Sequence, residues 1–278
     1  MEQKIVIVGL GLIGGSLAKA FRKYTNCAVA GMDRSPKVLE DALACGAVEK
    51  AGTESDLQSA DVVFLCLYPK ACVEFVQSHL SALGPGTLVA DTCGIKSWLC
   101  PRMVKLAQEG GFTFVGAHPM AGKEKNGFAS SEAGLFQGAS FLLVPCGAPR
   151  EAVDKLKALA PALGFDRTVE TTPEEHDRMI AFTSQLPHVL ACSYVMSPQC
   201  PKHEGFSAGS YRDVSRVANI NETMWTELFL ENREALVQEL DTLTGHINEI
   251  RNAIDARDSD TLCALLRRGR LVKEGLGE

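Results

Sequence analysis

The tightest constraint in this sequence lies within its first 33 residues. An apolar, β-branched run at Lys4–Val8 enters Gly9-Leu10-Gly11-Leu12-Ile13-Gly14, and residues 16–24 then repeat apolar positions at helical spacing. A strand that must turn into a helix within so few residues needs backbone freedom, and the glycines of this G-x-G-x-x-G pattern supply it. A second apolar run at 28–32 follows, ending at Asp33, nineteen residues beyond Gly14. Strand, glycine turn, helix, strand and acidic end describe the opening βαβ unit of a dinucleotide-binding fold. In such a unit Gly9, Gly11 and Gly14 let the chain approach a pyrophosphate. N–H groups around Leu12, Ile13 and Gly14, with the helix dipole, offset its charge. Asp33 would accept from a ribose 2′-hydroxyl and repel a 2′-phosphate, which predicts NAD rather than NADP; Arg34 beside it offers a guanidinium that could hold that phosphate.

The alternation continues down the chain. Ser35 and Pro36 form a cap and first turn for a helix running to Ala44. Further strands are predicted at 61–67, 87–90, 112–117 and 141–144, separated by helical patterns near 70–82, 96–109 and 127–136. Residues 62–67 are apolar without alternation, as a strand buried on both faces must be. A helix at 150–163 and a strand near 167–170 close the sheet at an edge. The fold class is therefore α/β, a Rossmann-type doubly wound parallel sheet. From Thr172 the strand signal gives way to helices, beginning with a threonine cap and an acidic first turn, so the expected domains are 1–171 and 172–278. Between 224 and 256 one helix of about 30 residues, about 45 Å long, is expected. Its apolar positions Leu236, Leu240, Leu243, Ile247, Ile250 and Ile254 form a heptad-like seam, read equally well as an internal bundle seam or as a contact with a second subunit.

A length of 278 residues suits two ordinary domains. The chain carries 28 basic and 34 acidic residues with no cationic cluster, which excludes a nucleic-acid partner. No uninterrupted apolar stretch reaches the ~18 residues of a membrane helix. The early apolar run ending in Ala18-Lys19-Ala20 imitates a secretory signal, but the glycines from Gly9 to Gly15 interrupt it. Ten cysteines show neither a C-x-x-C pair nor zinc spacing with histidine, so no metal site is expected, and a reducing, cytoplasmic compartment is.

Ligands of doubly wound sheets bind beyond the carboxyl ends of the strands, which points to Leu67-Tyr68-Pro69, Asp91-Thr92-Cys93-Gly94 and His118-Pro119. His118, at the end of a predicted strand, could deprotonate a hydroxyl while hydride leaves the same carbon. His188 follows Pro187 in a helical pattern that the proline should kink, leaving it either a site residue or a capping partner. His79, His176, His203 and His246 read as solvated. Arg212 and Arg216, four apart, would share a helix face able to hold carboxylates, or pair with Asp213 at the surface.

Taken together, these blocks resemble the prephenate dehydrogenase family, which includes arogenate and cyclohexadienyl dehydrogenases. The resemblance runs from Gly9-Leu10-Gly11-Leu12-Ile13-Gly14-Gly15-Ser16 through His118-Pro119-Met120-Ala121-Gly122-Lys123-Glu124 and Leu186-Pro187-His188. It continues to Tyr211-Arg212-Asp213-Val214-Ser215-Arg216-Val217-Ala218, Met224-Trp225 and Phe229-Leu230-Glu231-Asn232. It implies NAD(P)-dependent oxidative decarboxylation in tyrosine biosynthesis: prephenate to 4-hydroxyphenylpyruvate, or arogenate to tyrosine. By motif position, His118 binds the C4 hydroxyl and takes up its proton, Arg216 binds the substrate carboxylate and His188 is a second active-site histidine. Ser184, Gln185 and Trp225 line the substrate pocket, Leu67 and Pro69 the cofactor side. The helical half of the family forms a dimer, which favours the intersubunit seam.

Two departures stand out. Many family members carry a serine in a D-x-x-S-x-K stretch that assists the catalytic histidine; here the position is Gly94, within Asp91-Thr92-Cys93-Gly94-Ile95-Lys96. Thr92, Cys93 or water would have to substitute, or the pocket is wider. Where members often read H-L-P-H, this chain has Gln185-Leu186-Pro187-His188. The chain ends at Glu278, so no regulatory ACT domain or chorismate mutase is expected, and tyrosine would have to inhibit at the active site. Two other readings stay open. One is a dehydrogenase of the β-hydroxyacid type, which would call for a lysine beside the helical blocks; the other is an NAD-binding regulator without turnover.

Overall fold

The computed structural model describes residues 3–123 and 125–277. Each parallel crossover in it is built by a helix between two strands. In chain order these are β1 (Lys4–Val8), α1 (Leu12–Tyr24), β2 (Ala28–Met32), α2 (Pro36–Ala44), β3 (Lys50–Ala51), α3 (Glu54–Gln58), β4 (Val62–Leu65) and α4 (Pro69–Ser78). There follow β5 (Leu88–Asp91), α5 (Leu99–Gly110), β6 (Thr113–Pro119), β7 (Ser140–Val144), α6 (Arg150–Leu159) and β8 (Arg167–Glu170). The sheet order is β3-β2-β1-β4-β5-β6-β7-β8. Along β1, Ile5 and Ile7 enter one core with Phe21 and Phe64, while Val6 and Val8 enter the other with Val63, Leu65 and Met103. Burial on both faces is the reason these strands are unbroken apolar runs.

The sheet departs from the expected one in three ways. β7 runs antiparallel to β6, so the sheet is mostly rather than wholly parallel. The short β3 and α3 carry too few residues to show periodicity; β3 pairs with Ala30 and Gly31 of β2. The helical pattern at 127–136 yields a single 3₁₀ turn, Phe128–Ser130, because Gly127 and Gly138 adopt positive φ (84° and 77°) and Phe128 and Phe136 are buried through separate turns.

Beyond Glu170 no strand occurs among the described residues. Thr172 caps α7 (Pro173–Ile180) by accepting from the Glu175 N–H at 3.2 Å, and a π-helical turn, Ala181–Gln185, leads into α8 (Leu186–Val195). Pro187 sits at the start of α8, where its missing N–H disrupts least, and the wide turn before it takes up the expected kink. Then come α9 (Gly209–Ser215) and α10 (Glu222–Glu231). The chain divides into two compact units, Met1–Asn232 and Arg233–Glu278. The second comprises α11 (Arg233–Asp255) and α12 (Ser259–Gly275). The single helix expected across 224–256 is thus two. It breaks at Asn232, whose buried amide donates to the Asp177 carbonyl (2.9 Å) and to Gln185 Oε1 (2.7 Å). The heptad seam survives in α11, with Ile247 and Ile254 exposed. No described helix is long and apolar enough to cross a membrane.

One buried ion pair fixes the carboxyl end of the sheet. Asp91 and Lys96 are both fully buried and paired, and Asp91 also accepts from the N–H groups of Cys93 (2.8 Å) and Ala117 (3.0 Å). Burial pushes the Lys96 ammonium down, but the charge of Asp91 outweighs it and holds the group above its ordinary value. Removing one partner leaves an uncompensated buried charge. Lys96→Met is therefore expected to lower the unfolding free energy by about 3–5 kcal/mol in urea titration; a loss below about 1 kcal/mol would show that the pair is not held as described.

Candidate active site

Sheet order reverses direction at β1 and β4, the place where a crevice opens beyond the strand ends. Gly9 has φ +87° and its N–H donates to the Met32 carbonyl at 2.7 Å. A Cβ on Gly14 would lie 1.9 Å from the Gly9 oxygen, and one on Gly9 2.5 Å from the Cys66 oxygen, so both positions exclude any side chain. Around Gly11, by contrast, nothing lies within 4 Å of the Cβ direction. Gly11 is the N-cap of α1 and offers no side-chain acceptor, leaving the first-turn N–H groups for an anion. Asp33 Oδ2 accepts from the Leu10 N–H at 2.8 Å and Oδ1 from the Ser35 N–H at 2.9 Å, which holds the carboxylate at the end of β2. The cradle and the fixed carboxylate fit a dinucleotide.

From this turn a cavity of about 530 Å³ runs to the helices α7 to α10. On its sheet side lie Gly11, Leu12, Ile13, Leu67, Pro69, Gly94 and His118; on its helical side lie Ser184, Gln185, His188, Arg216 and Trp225. The expected residues are thus largely assembled in one place. Gly9, Gly14, Asp33 and Arg34 are not part of the wall; Arg34 is exposed, and Arg212 is exposed away from it, so the shared arginine face is not formed. Glu124, in the block beginning at His118, lies outside the described residues.

His118 sits on β6 opposite Leu142 of β7. Its Nδ1 lies 2.9 Å from His176 Nε2, and His176 Nδ1 lies 2.7 Å from Asp177 Oδ1. Asp177 also accepts from the N–H groups of Lys96 (Oδ1, 2.7 Å) and Ser97 (Oδ2, 2.7 Å). Burial pushes His118 well below the ordinary histidine value of 6.5, and the neighbouring His176 and the Lys96 charge push the same way. Burial also lowers His176, against the opposing pull of Asp177. For Asp177 burial acts upward, but the hydrogen bonds from His176 and Ser97 outweigh it and hold the carboxyl below its ordinary value. At neutral pH the chain is therefore carboxylate, neutral imidazole, neutral imidazole.

The other wall is locked in turn. His188 Nδ1–H donates to the Val217 carbonyl at 2.7 Å, and its ring lies 3.9 Å from the Trp225 ring. Gln185, almost fully buried, donates to the Leu228 carbonyl (3.3 Å) and accepts from Asn232, so both ends of its amide serve the fold. Asn221 caps α10 by accepting from the Met224 N–H (3.0 Å) and donates to the Tyr68 hydroxyl (3.2 Å). Glu227 accepts from the Lys70 N–H at 2.9 Å. These bonds tie the turn after β4 to α10 across the cavity.

The sequence reading of His176 as solvated is corrected: the residue is 1% exposed and contacts His118 directly. A signal was available, since His176 and Ile180 are four apart and share the buried face of α7. His79 is likewise only half exposed, with its Nδ1 against the Phe75 carbonyl at 2.9 Å and its ring stacked on Phe75. The ten cysteines are all free.

Residues 17–165 match the family model described as prephenate dehydrogenase, nucleotide-binding domain, and residues 172–268 match prephenate dehydrogenase, dimerization domain. The chain is similar to cyclohexadienyl dehydrogenase of Zymomonas mobilis, 31% identical over 93% of this chain and 90% of that protein. It is also similar to prephenate dehydrogenase of Bacillus subtilis, 28% identical over 99% of this chain and 76% of that protein. Among solved structures, prephenate dehydrogenase from Aquifex aeolicus in complex with hydroxyphenyl propionate and NAD+ superposes with a TM-score of 0.86 at 25% identity, covering 99% of each chain. With both family models together spanning most of its length, the chain belongs to the prephenate dehydrogenase family.

Proposed function

We propose that this protein oxidatively decarboxylates prephenate to 4-hydroxyphenylpyruvate, or arogenate to tyrosine, with NAD as acceptor. The observation that carries the reading is His118, a neutral imidazole whose Nδ1 is engaged by His176 and which lines a cavity running from the glycine turn to Arg216. NAD, when bound, accepts a hydride from C4 of the substrate ring. Gly11, Leu12 and Ile13 would hold its pyrophosphate and Asp33 its adenosine ribose, the carboxylate disfavouring a 2′-phosphate. The dinucleotide groups belong to residues 1–171 and the remaining substrate groups to the helices from 172 onward.

His118 takes the C4 hydroxyl proton through Nε2 as hydride leaves. It returns that proton to the oxygen when the electron pair of the C1–carboxylate bond enters the ring and CO2 departs. Aromatisation drives the bond cleavage, so the protein has chiefly to orient the substrate and handle charge. Arg216 is the anchor for a substrate carboxylate. His188 and Trp225, held against each other, form a wall for the ring. The described lining residues include the cations Lys123 and Arg216. Lys123 is itself paired with Glu132 at 2.8 Å.

Exposed apolar side chains on the second unit, Ile247, Ile254, Leu266 and Leu271, support a homodimer formed through α11 and α12.

Three outcomes are expected. In parallel assays with prephenate and with arogenate, NAD should be reduced with at least one of them; turnover of neither would contradict the proposed reaction. His118→Asn should lower kcat by about 10²–10⁴ with NAD affinity intact. Because burial keeps His118 neutral below its ordinary 6.5, the parent should hold its kcat/KM as pH falls through 6.5 and lose it only at lower pH, when the imidazole protonates. An acid limb centred at or above 6.5, or an unchanged kcat in the variant, would exclude His118 as the base.

A further inference from the structure

The proton position on His118 follows from a chain of hydrogen bonds that starts at a charge. Asp177 is ionised and can only accept, so the proton of the 2.7 Å contact is on His176 Nδ1. A neutral His176 then has only a lone pair at Nε2, and the 2.9 Å contact requires His118 to donate from Nδ1. His118 Nε2 is left unprotonated. No buried side-chain nitrogen or oxygen among the described residues lacks a partner, and His118 is half-buried on the cavity wall, so Nε2 faces the cavity.

Nothing at position 94 can do this work. Gly94 has no side chain, and a Cβ placed there would lie 3.8 Å from His118 Cε1. Asp177 itself cannot move freely, because the N–H groups of Lys96 and Ser97 clamp its two oxygens and Asn232 donates to its carbonyl. His176 is buried, and stacks no further than its tilted contact with His118, at 5.1 Å between ring centres.

We infer that His176, oriented by Asp177, is a positioning residue that locks His118 in its Nδ1–H tautomer and so makes Nε2 the base. This deepens the proposed function: the tautomer claim is independent of the substrate, while its kinetic consequence rests on that reading. The lock also accounts for how the site works with glycine at 94. Hydrogen-bond partners that fix an imidazole's tautomer and direction are worth about 10–100-fold where they have been removed from metal-bound histidines, and the same orientation is at stake here.

Long-range ¹H–¹⁵N NMR of the ¹⁵N-histidine-labelled protein, with His118→Asn used to assign the signals, tests the claim without any variant of His176 and without substrate. His118 is expected in the Nδ1–H form; an Nε2–H form overturns the inference. Kinetics with prephenate and NAD give the second arm. His176→Leu should lower kcat about 10²-fold with both KM values within about threefold, and His176→Gln, whose amide oxygen restores an acceptor, should recover about tenfold of that loss. Equal losses in the two variants, or a kcat for His176→Leu within about threefold of the parent, would reduce His176 to packing and contradict the inference. Absence of turnover in the parent would instead defeat the substrate reading and leave the tautomer measurement to decide.

Discussion

The Asp177 carboxylate is the interaction on which the site depends. It receives the backbone N–H groups of Lys96 and Ser97 from the turn after β5 and the ring N–H of His176 from its own helix. One charge therefore joins the sheet to the first helix of the helical half and sets the orientation of the imidazole beside His118. Lys96 serves twice, since its side chain is spent on Asp91 while its backbone serves Asp177. Buried charges of this kind are costly unless every lone pair and proton is matched, and here the described side chains leave none unmatched.

The same logic separates two kinds of polar residue around the cavity. Asp91, Lys96, Asp177, Gln185 and Asn232 are buried and bonded to backbone or to each other, so they hold shape. His118 and Arg216 border open space, and there chemistry can take place. The depressed affinity of His118 for protons follows from the dry packing that holds it. A base that stays neutral at physiological pH and carries its proton on the far nitrogen suits a reaction in which a hydroxyl proton is taken and then returned.

Much of this was legible in the sequence, for reasons that differ by residue. The glycine turn could be read because Gly9 and Gly14 are dictated by local geometry: positive φ at one, no room for a Cβ at the other. His118 could be found because strand ends in a doubly wound sheet converge on one crevice. His176 could not be placed by the same means. Its helix opens with Pro173-Glu174-Glu175, which reads as solvent-facing, and its place is set by distant partners: His118 for His176 itself, and the N–H groups of residues 96 and 97, about eighty positions away, for the neighbouring Asp177. The break at Asn232 was hidden for a related reason, because heptad periodicity does not register the tertiary hydrogen bonds of one amide. Gln185 was read as a pocket group and lines the cavity, yet both ends of its amide are committed to the fold.

The most direct test of the account is a crystal structure of the protein with NAD and a 4-hydroxyphenyl carboxylate product analogue. The account predicts the phenolic oxygen within about 2.6–3.2 Å of His118 Nε2, with a carboxylate on Arg216. A phenolic oxygen directed away from His118, with the ring outside the cavity between Gly11 and Trp225, would contradict it.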